Sequence, residues 1–202
     1  MINYRNNLTP NQNKKISDIL TAGQLLFAKF GYRKTSVDEI ARNANVAKGT
    51  IYKYFESKDD IFATVVKHER DQITGILEEA VKRESDPVEK IRAFAFTKIS
   101  EIRKAISFHH VTREIAHELW PLMNNVQTEF NEWEAVFINE ILQKGIDSGQ
   151  FKIKQTELIA KSLVLTSKAL ELDLVLQQNS NQLKTQIDTL IGILIWGLAG
   201  RD

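Results

Sequence analysis

The chain has 202 residues, no cysteine, 27 Lys and Arg against 26 Asp and Glu, and a formal net charge of +1. These counts exclude a disulfide framework, a Cys-ligated zinc and a thiol nucleophile, and the whole-chain charge names no polyanionic or membrane partner. Nine Gly and three Pro are few for this length, since average usage is about 7% and 5%, so long helices are expected in place of many tight turns. Residues 1–7 carry no apolar leader core, and the most apolar stretch, 189–200, is shorter than the ~18 residues of a membrane span. A soluble, cytoplasmic protein is the expectation.

The charge is uneven along the chain. Residues 1–70 hold 12 Lys and Arg against 7 Asp and Glu, net +5, whereas residues 71–202 hold 15 against 19, net −4. A basic N-terminal third suits a polyanion, and a solvated basic face gives the same count. From residue 14 to 30, Ile16, Ile19, Leu20, Phe27 and Phe30 recur at helical spacing, and Gly31 supplies a C-cap. Ser36 and Glu39 form a capping box for a short second helix whose buried face is Ile40, Ala41 and Ala44. Asn45 suits a left-handed turn, Val46 plugs it, and residues 48–55 read as a third helix of about two turns. Ser57, followed by Asp59 and Asp60, caps a longer fourth helix through Ile61, Phe62, Val65 and Val66.

Two short helices joined by a tight turn have the shape of a helix-turn-helix. Lys48, Thr50, Tyr52 and Lys53 offer donors to phosphates and base edges, while Ile51, Tyr54 and Phe55 can pack inward. Gly49 allows a sugar-phosphate chain to approach the backbone closely. A small helical bundle with ordinary surface polar residues is the alternative.

The stretches 35–41, 44–55 and 57–58 resemble the DNA-binding signature of TetR-family transcriptional regulators, nearly without gaps from about Ile16 to Phe62. The family commonly has Gly where Asn45 stands and Ser where Ala47 stands; the second departure removes an N-cap and phosphate contact. The resemblance implies that Lys48, Gly49, Thr50, Tyr52 and Lys53 are recognition-helix positions. It likewise implies that Thr35, Ser36, Tyr54 and Lys58 contact the flanking DNA backbone.

Further along, Asp86, Pro87 and Glu89 start a helix running to about Lys104. Another covers about 108–118 and is ended by Pro121, because the residue before a proline is pushed out of the α region. A long helix over 124–148 carries Phe130, Trp133, Phe137 and Ile141 along one stripe, with Gly149 as its cap, and helices over 156–178 and 183–199 close the chain. No segment alternates as a strand. The reading is all-α with about nine helices: a helix-turn-helix domain over 1–57 and a helical ligand-binding and dimerisation domain over 58–202.

Leu190, Ile191, Ile193, Leu194, Ile195, Trp196 and Leu198 nearly encircle the last helix, so it must be buried on more than one side. Pairing it and the preceding helix, with Leu165, Leu172 and Leu176, against their two-fold mates gives an isologous four-helix interface; burial within one chain is the alternative. This resembles the family's dimerisation mode, and a dimer suits a palindromic operator with half-sites about one helical turn or more apart. Phe94, Phe108, Trp120, Met123, Phe130, Trp133 and Phe137 form either plain core or the wall of a cavity for a mostly hydrophobic small molecule. The resemblance implies such an effector site, with His110, Glu114 and His117 as polar points. Glu114 and His117 make one Glu-x-x-His sequence, whereas a di-iron site needs two. No phosphate-loop, dinucleotide or nucleophile-elbow pattern occurs, so no enzyme, cofactor or metal is expected. The function expected is a homodimeric, ligand-responsive repressor on double-stranded DNA. The alternative is an architectural or protein-interaction factor on the same scaffold without an effector.

Overall fold

The computed structural model describes residues 9–108, 113–176 and 180–199, with the side chains at 106–108, 113–118, 120, 169–176, 180–184, 196, 198 and 199 outside the description. Its eight helices in the described residues are α1 (Pro10–Phe30), α2 (Val37–Asn43), α3 (Lys48–Ile51), α4 (Lys58–Lys82), α5 (Pro87–Phe108), α6 (Arg113–Asp147), α7 (Thr156–Leu176) and α8 (Ser180–Ala199). There is no strand among the described residues.

Local sequence chemistry sets most of the boundaries. The Ser36 hydroxyl accepts from the Glu39 amide while the Glu39 carboxylate takes the Ser36 amide, the reciprocal capping box the spacing predicts. Ser57 caps α4 through the Asp60 amide, at 3.1 Å. Asp86 caps α5 by accepting from the Val88 and Glu89 amides at 2.8 and 3.1 Å. Asn45 takes φ 54°, and Gly31 and Gly149 take φ 79° and 76°, each at a helix-ending turn. The start of α1 lies ahead of the apolar period, because Thr9 and Gln12 form a second capping box and Pro10 needs no amide partner at the first helical position.

Two apolar clusters organise the packing. The first joins Ile19, Leu26 and Phe27 of α1, Ile40 and Ala41 of α2, Ile51 of α3, Phe55, and Ile61, Phe62 and Val65 of α4. The second joins Ile73 and Leu77 of α4 to Ile91, Phe94 and Ile102 of α5, Phe130, Ile138 and Leu142 of α6, Val164 of α7 and Ile187 and Ile191 of α8. Helix α4 therefore enters both. Helix α6 does so too, since Leu119 is a buried member of the first cluster, with Leu122 and Met123 packed against it.

That placement corrects the expected break at Pro121. One 35-residue helix runs through the proline, where two were expected. A proline inside a helix removes a hydrogen bond and costs about 3 kcal/mol. Here the cost is offset because a single continuous helix buries Leu119 in the first cluster, with Leu122 and Met123 packed against it, and Phe130, Ile138 and Leu142 in the second.

Candidate nucleic-acid interface

Helices α2 and α3 are held at their turn by backbone bonds: the Ala44 amide donates to the Ile40 carbonyl at 2.9 Å and the Val46 amide to the Ala41 carbonyl at 3.0 Å. Ala47 begins α3 without any side-chain cap bond, as its methyl group dictates. Helix α3 is shorter than the two turns expected. Beyond Ile51 the bonds are mixed, Lys53 amide to Thr50 carbonyl and Tyr54 amide to Ile51 carbonyl at i to i−3 and Phe55 amide to the same Ile51 carbonyl at i to i−4, in a run of β-branched and aromatic residues of low helix propensity. Ile51 and Phe55, 0% and 2% exposed, anchor the segment from beneath.

The anchoring fixes what faces outward. Lys48, Gly49, Tyr52 and Lys53 are exposed and Thr50 is half-buried. A Cβ added at Gly49 would meet nothing within 4 Å, so its backbone is open to close approach. The Lys48 ammonium lies 2.9 Å from the Asp38 carboxylate, and that hydrogen bond and charge raise its pKa above the ordinary lysine value. It is a fixed cation at the start of α3. Ser36 is exposed, its hydroxyl 2.7 Å from the Glu39 carboxylate, and its bonds to Glu39 hold that carboxyl below the usual carboxylate range.

Three flanking positions have partners within this unit. Thr35 is 2% exposed, with its hydroxyl directed at the Gly31 and Leu26 carbonyls at 2.9 and 3.2 Å, so its side chain closes the α1–α2 turn instead of presenting a donor outward. Tyr54 is half-buried against the first apolar cluster. Lys58 donates to the Tyr32 carbonyl at 3.0 Å and lies 4.1 Å over the Tyr32 ring; the Tyr32 hydroxyl in turn donates to Asp59. Lys58 thus ties α4 to the α1–α2 turn. Arg33, Lys34 and Arg42 are exposed in the same unit, the first two as an adjacent basic pair directly ahead of Thr35.

The expected effector residues divide. Phe94 and Phe130 are buried, and they meet Trp133 and Phe137 in one aromatic group: Phe94 to Phe137 at 5.8 Å, Phe130 to Trp133 at 5.5 Å, and Trp133 stacked on Phe137 at 5.1 Å. Met123 does not join them. It packs against the first cluster, because the unbroken α6 carries it there. His110 lies outside the described residues, as do the side chains of Phe108, Glu114, His117 and Trp120.

In this core the structure adds a pair the sequence reading did not single out. Lys98 of α5 and Glu134 of α6, 3% and 1% exposed, bond at 2.7 Å. Lys98 also donates to the Ser167 hydroxyl of α7 at 3.2 Å, and Ser167 donates to the Val164 carbonyl. Among the expected dimer residues, Leu165 and Leu190 are 70% and 45% exposed. Ile191, by contrast, is buried in its own chain, and Leu194 and Ile195 lie half-buried against the second cluster. The helix is apolar all round partly because one face serves this internal core. The side chains of Leu172, Leu176 and Leu198 lie outside the description.

Among the described residues no group of three His, Cys, Asp or Glu could hold a metal ion, and no helix is long and apolar enough to cross a membrane. Residues 19–65 match the model for "Bacterial regulatory proteins, tetR family", the stretch that supplies every buried member of the first cluster but Leu119. The fatty acid metabolism regulator protein of Bacillus subtilis (strain 168) is 30% identical over 141 residues, 68% of this chain and 71% of that protein. The transcriptional repressor KstR2 of Rhodococcus jostii (strain RHA1) is 26% identical over 150 residues, 71% of each chain. A solved transcriptional regulator from Cytophaga hutchinsonii shares the fold with a TM-score of 0.74 at 19% identity, over 92% of this chain and 99% of that one. With the capped two-helix turn and its outward basic edge, these likenesses establish that the chain belongs to the TetR family of DNA-binding transcriptional regulators.

Proposed function

We propose that the protein is a homodimeric repressor that binds a palindromic operator and is released by a mostly hydrophobic small molecule. The DNA-binding domain in this reading is residues 1–57 and the effector and dimer domain is 58–202. The observation that carries it is the outward row Lys48, Gly49, Tyr52 and Lys53, supported from below by Ile51 and Phe55. Thr50 and Ser36 complete the contact edge, and Lys58 acts by holding the start of α4 against the α1–α2 turn. The dimer face in this reading includes Leu165 and Leu190 with the similarly exposed Leu158 and Ile193, large apolar side chains that a second copy of the chain would cover.

The effector reading rests on the aromatic group Phe94, Phe130, Trp133 and Phe137, and the name of the Bacillus subtilis relative supports an acyl compound as its class. Release follows if the effector favours a helix arrangement that mismatches the half-sites, which requires different affinities for the two arrangements. Both α4 and α6 are placed to transmit it: Lys67 bonds Glu129, and Arg70 bonds Gln127 at 3.0 Å and stacks over Phe130 at 4.8 Å.

Selection of bound sequences from a random DNA pool tests the reading. A palindromic motif is expected, with affinity falling steeply as salt rises because phosphate contacts release counterions. Lys48→Ala with Tyr52→Ala is expected to weaken binding to that motif at least about tenfold. Unchanged affinity on fluorescence anisotropy overturns the recognition-helix assignment.

A further inference from the structure

We infer that Asp38 is a specificity-determining residue of the DNA-binding edge: a positioning residue that aims the Lys48 ammonium at a base edge. This rests on the recognition-segment reading above and gives one of its side chains a partner. Asp38 lies in the first turn of α2 and Lys48 opens α3, across the turn between them, with 2.9 Å between ammonium and carboxylate. The Lys48 and Asp38 side chains are 51% and 56% exposed, and ion pairs so exposed add little to stability. The turn is already held by the Ala44 and Val46 amides and by the buried Ile40, Ala41 and Ile51. The neighbouring acid, Glu39, is committed to the Ser36 cap, so the cap does not need Asp38 either. A structural role therefore leaves the pair largely unexplained.

Electrostatics separates two uses of the lysine. On a phosphate, Lys48 is a point charge that needs no aim, and a carboxylate beside it only subtracts from the attraction. On a base edge it needs direction, since base contacts carry the sequence information and phosphate contacts do not. An ammonium has three donors; Asp38 takes one, which fixes the stem and leaves the other two directed away from that carboxylate. Holding a flexible four-carbon stem before DNA arrives also lowers the ordering cost of binding. The surface beside it is low: Gly49 has no side chain, and a Cβ added there would meet nothing within 4 Å, so the floor of a groove can come close to the held ammonium. Exposed Tyr52, whose amide donates to the Lys48 carbonyl, flanks it on the same face. Asp38 thus repels phosphates, which weakens sequence-independent binding, while the aimed ammonium keeps the sequence-dependent part.

Fluorescence anisotropy of the full chain tests this with three kinds of duplex: the operator recovered by selection, a scrambled duplex of the same composition, and operators changed one base pair at a time. Low salt keeps weakened variants measurable. Lys48→Ala is expected to flatten the preference at one base pair of each half-site, which locates the Lys48 contact. Asp38→Asn is expected to flatten the preference at that same pair by at least about fivefold, the lower end of what one good base contact discriminates, with the other positions unchanged. Its affinity for the scrambled duplex is expected to be equal or higher, since a negative charge has left the DNA-facing edge. A lower folded fraction scales every duplex alike, so these ratios are blind to stability. Wild-type preference at every position in Asp38→Asn, relaxation at pairs that Lys48→Ala does not affect, or a uniform loss across all duplexes overturns the inference and leaves the recognition segment standing. A uniform loss in Lys48→Ala, the mark of a phosphate contact, overturns it as well. Selection that recovers no preferred sequence overturns the operator reading itself along with it.

Discussion

The two apolar clusters are built on different terms. The first, around α1 to α3 and the start of α4, buries aliphatic and aromatic side chains; the polar residues buried in this part of the chain are two uncharged threonines, Thr35 and Thr64, and Thr35 spends its hydroxyl on backbone carbonyls of α1 and its C-cap. The second buries Lys98 and Glu134 in its interior and Gln127 at its edge. The first presents a rigid outer edge, for which an apolar core and tight caps suffice. The second holds charge that is only moderately stabilising, in the part of the molecule where a small ligand is proposed to act.

The largest expected effect breaks the second cluster. Lys98→Met leaves the Glu134 carboxylate buried without its ammonium and is expected to cost about 3–5 kcal/mol, read as a lower urea midpoint. Adding Glu134→Leu removes the orphaned charge and is expected to restore most of that loss. A single variant as stable as wild type would show that the pair is not buried in solution. No equivalent rescue exists in the first cluster, where shortening Phe27 or Phe55 simply opens a cavity.

This contrast bears on what the sequence could reveal. The caps at Ser36, Ser57 and Asp86 and the left-handed Asn45 were legible because each is settled within three or four residues, and the basic edge of α3 followed from them. The continuity of α6 through Pro121 was not, since the proline is a local signal and the burial of Leu119 in a distant cluster is a tertiary one. The same tertiary fact moved Met123 out of the aromatic group. The burial of Thr35 is likewise tertiary: its hydroxyl turns inward to the Leu26 and Gly31 carbonyls because α1 is packed over it. Lys98 and Glu134 were within reach. Ile91, Phe94, Lys98 and Ile102 follow helical core spacing, as do Phe130, Glu134, Ile138 and Ile141, so each charged residue sits on an apolar stripe. Reading the aromatics alone passed over the two charges between them.

A smaller effect sharpens the comparison from the other side. Ser36→Ala removes the cap of α2 and is expected to cost about 1 kcal/mol, a fall of about 2–4 °C in Tm for a chain of this size. Because α4 and α6 run through both clusters, the melt is expected to stay a single transition. Two separated transitions would show that the clusters unfold independently and that the shared helices do not couple them.

The smallest effect concerns pH, at the end of the second cluster away from the DNA edge. Asp86 caps α5 and its carboxylate also accepts from Gln150, beyond the end of α6. Chiefly the Gln150 bond, and then the Glu89 and Val88 amides, hold its pKa below the ordinary aspartate value. The folded pKa lies beneath the unfolded one, so this contribution is complete above the unfolded value and disappears as the pH falls through the folded value. Asp86→Asn keeps an N-cap acceptor, since Asn and Asp rank together there, and removes the titration. Its stability at pH 7 is expected to be close to that of wild type, and its loss between pH 5 and pH 2 smaller. Urea unfolding at both ends of that range checks it: identical acid sensitivity in the two proteins would mean that the carboxylates governing acid unfolding lie elsewhere, leaving the cap a structural contact with no part in the pH response.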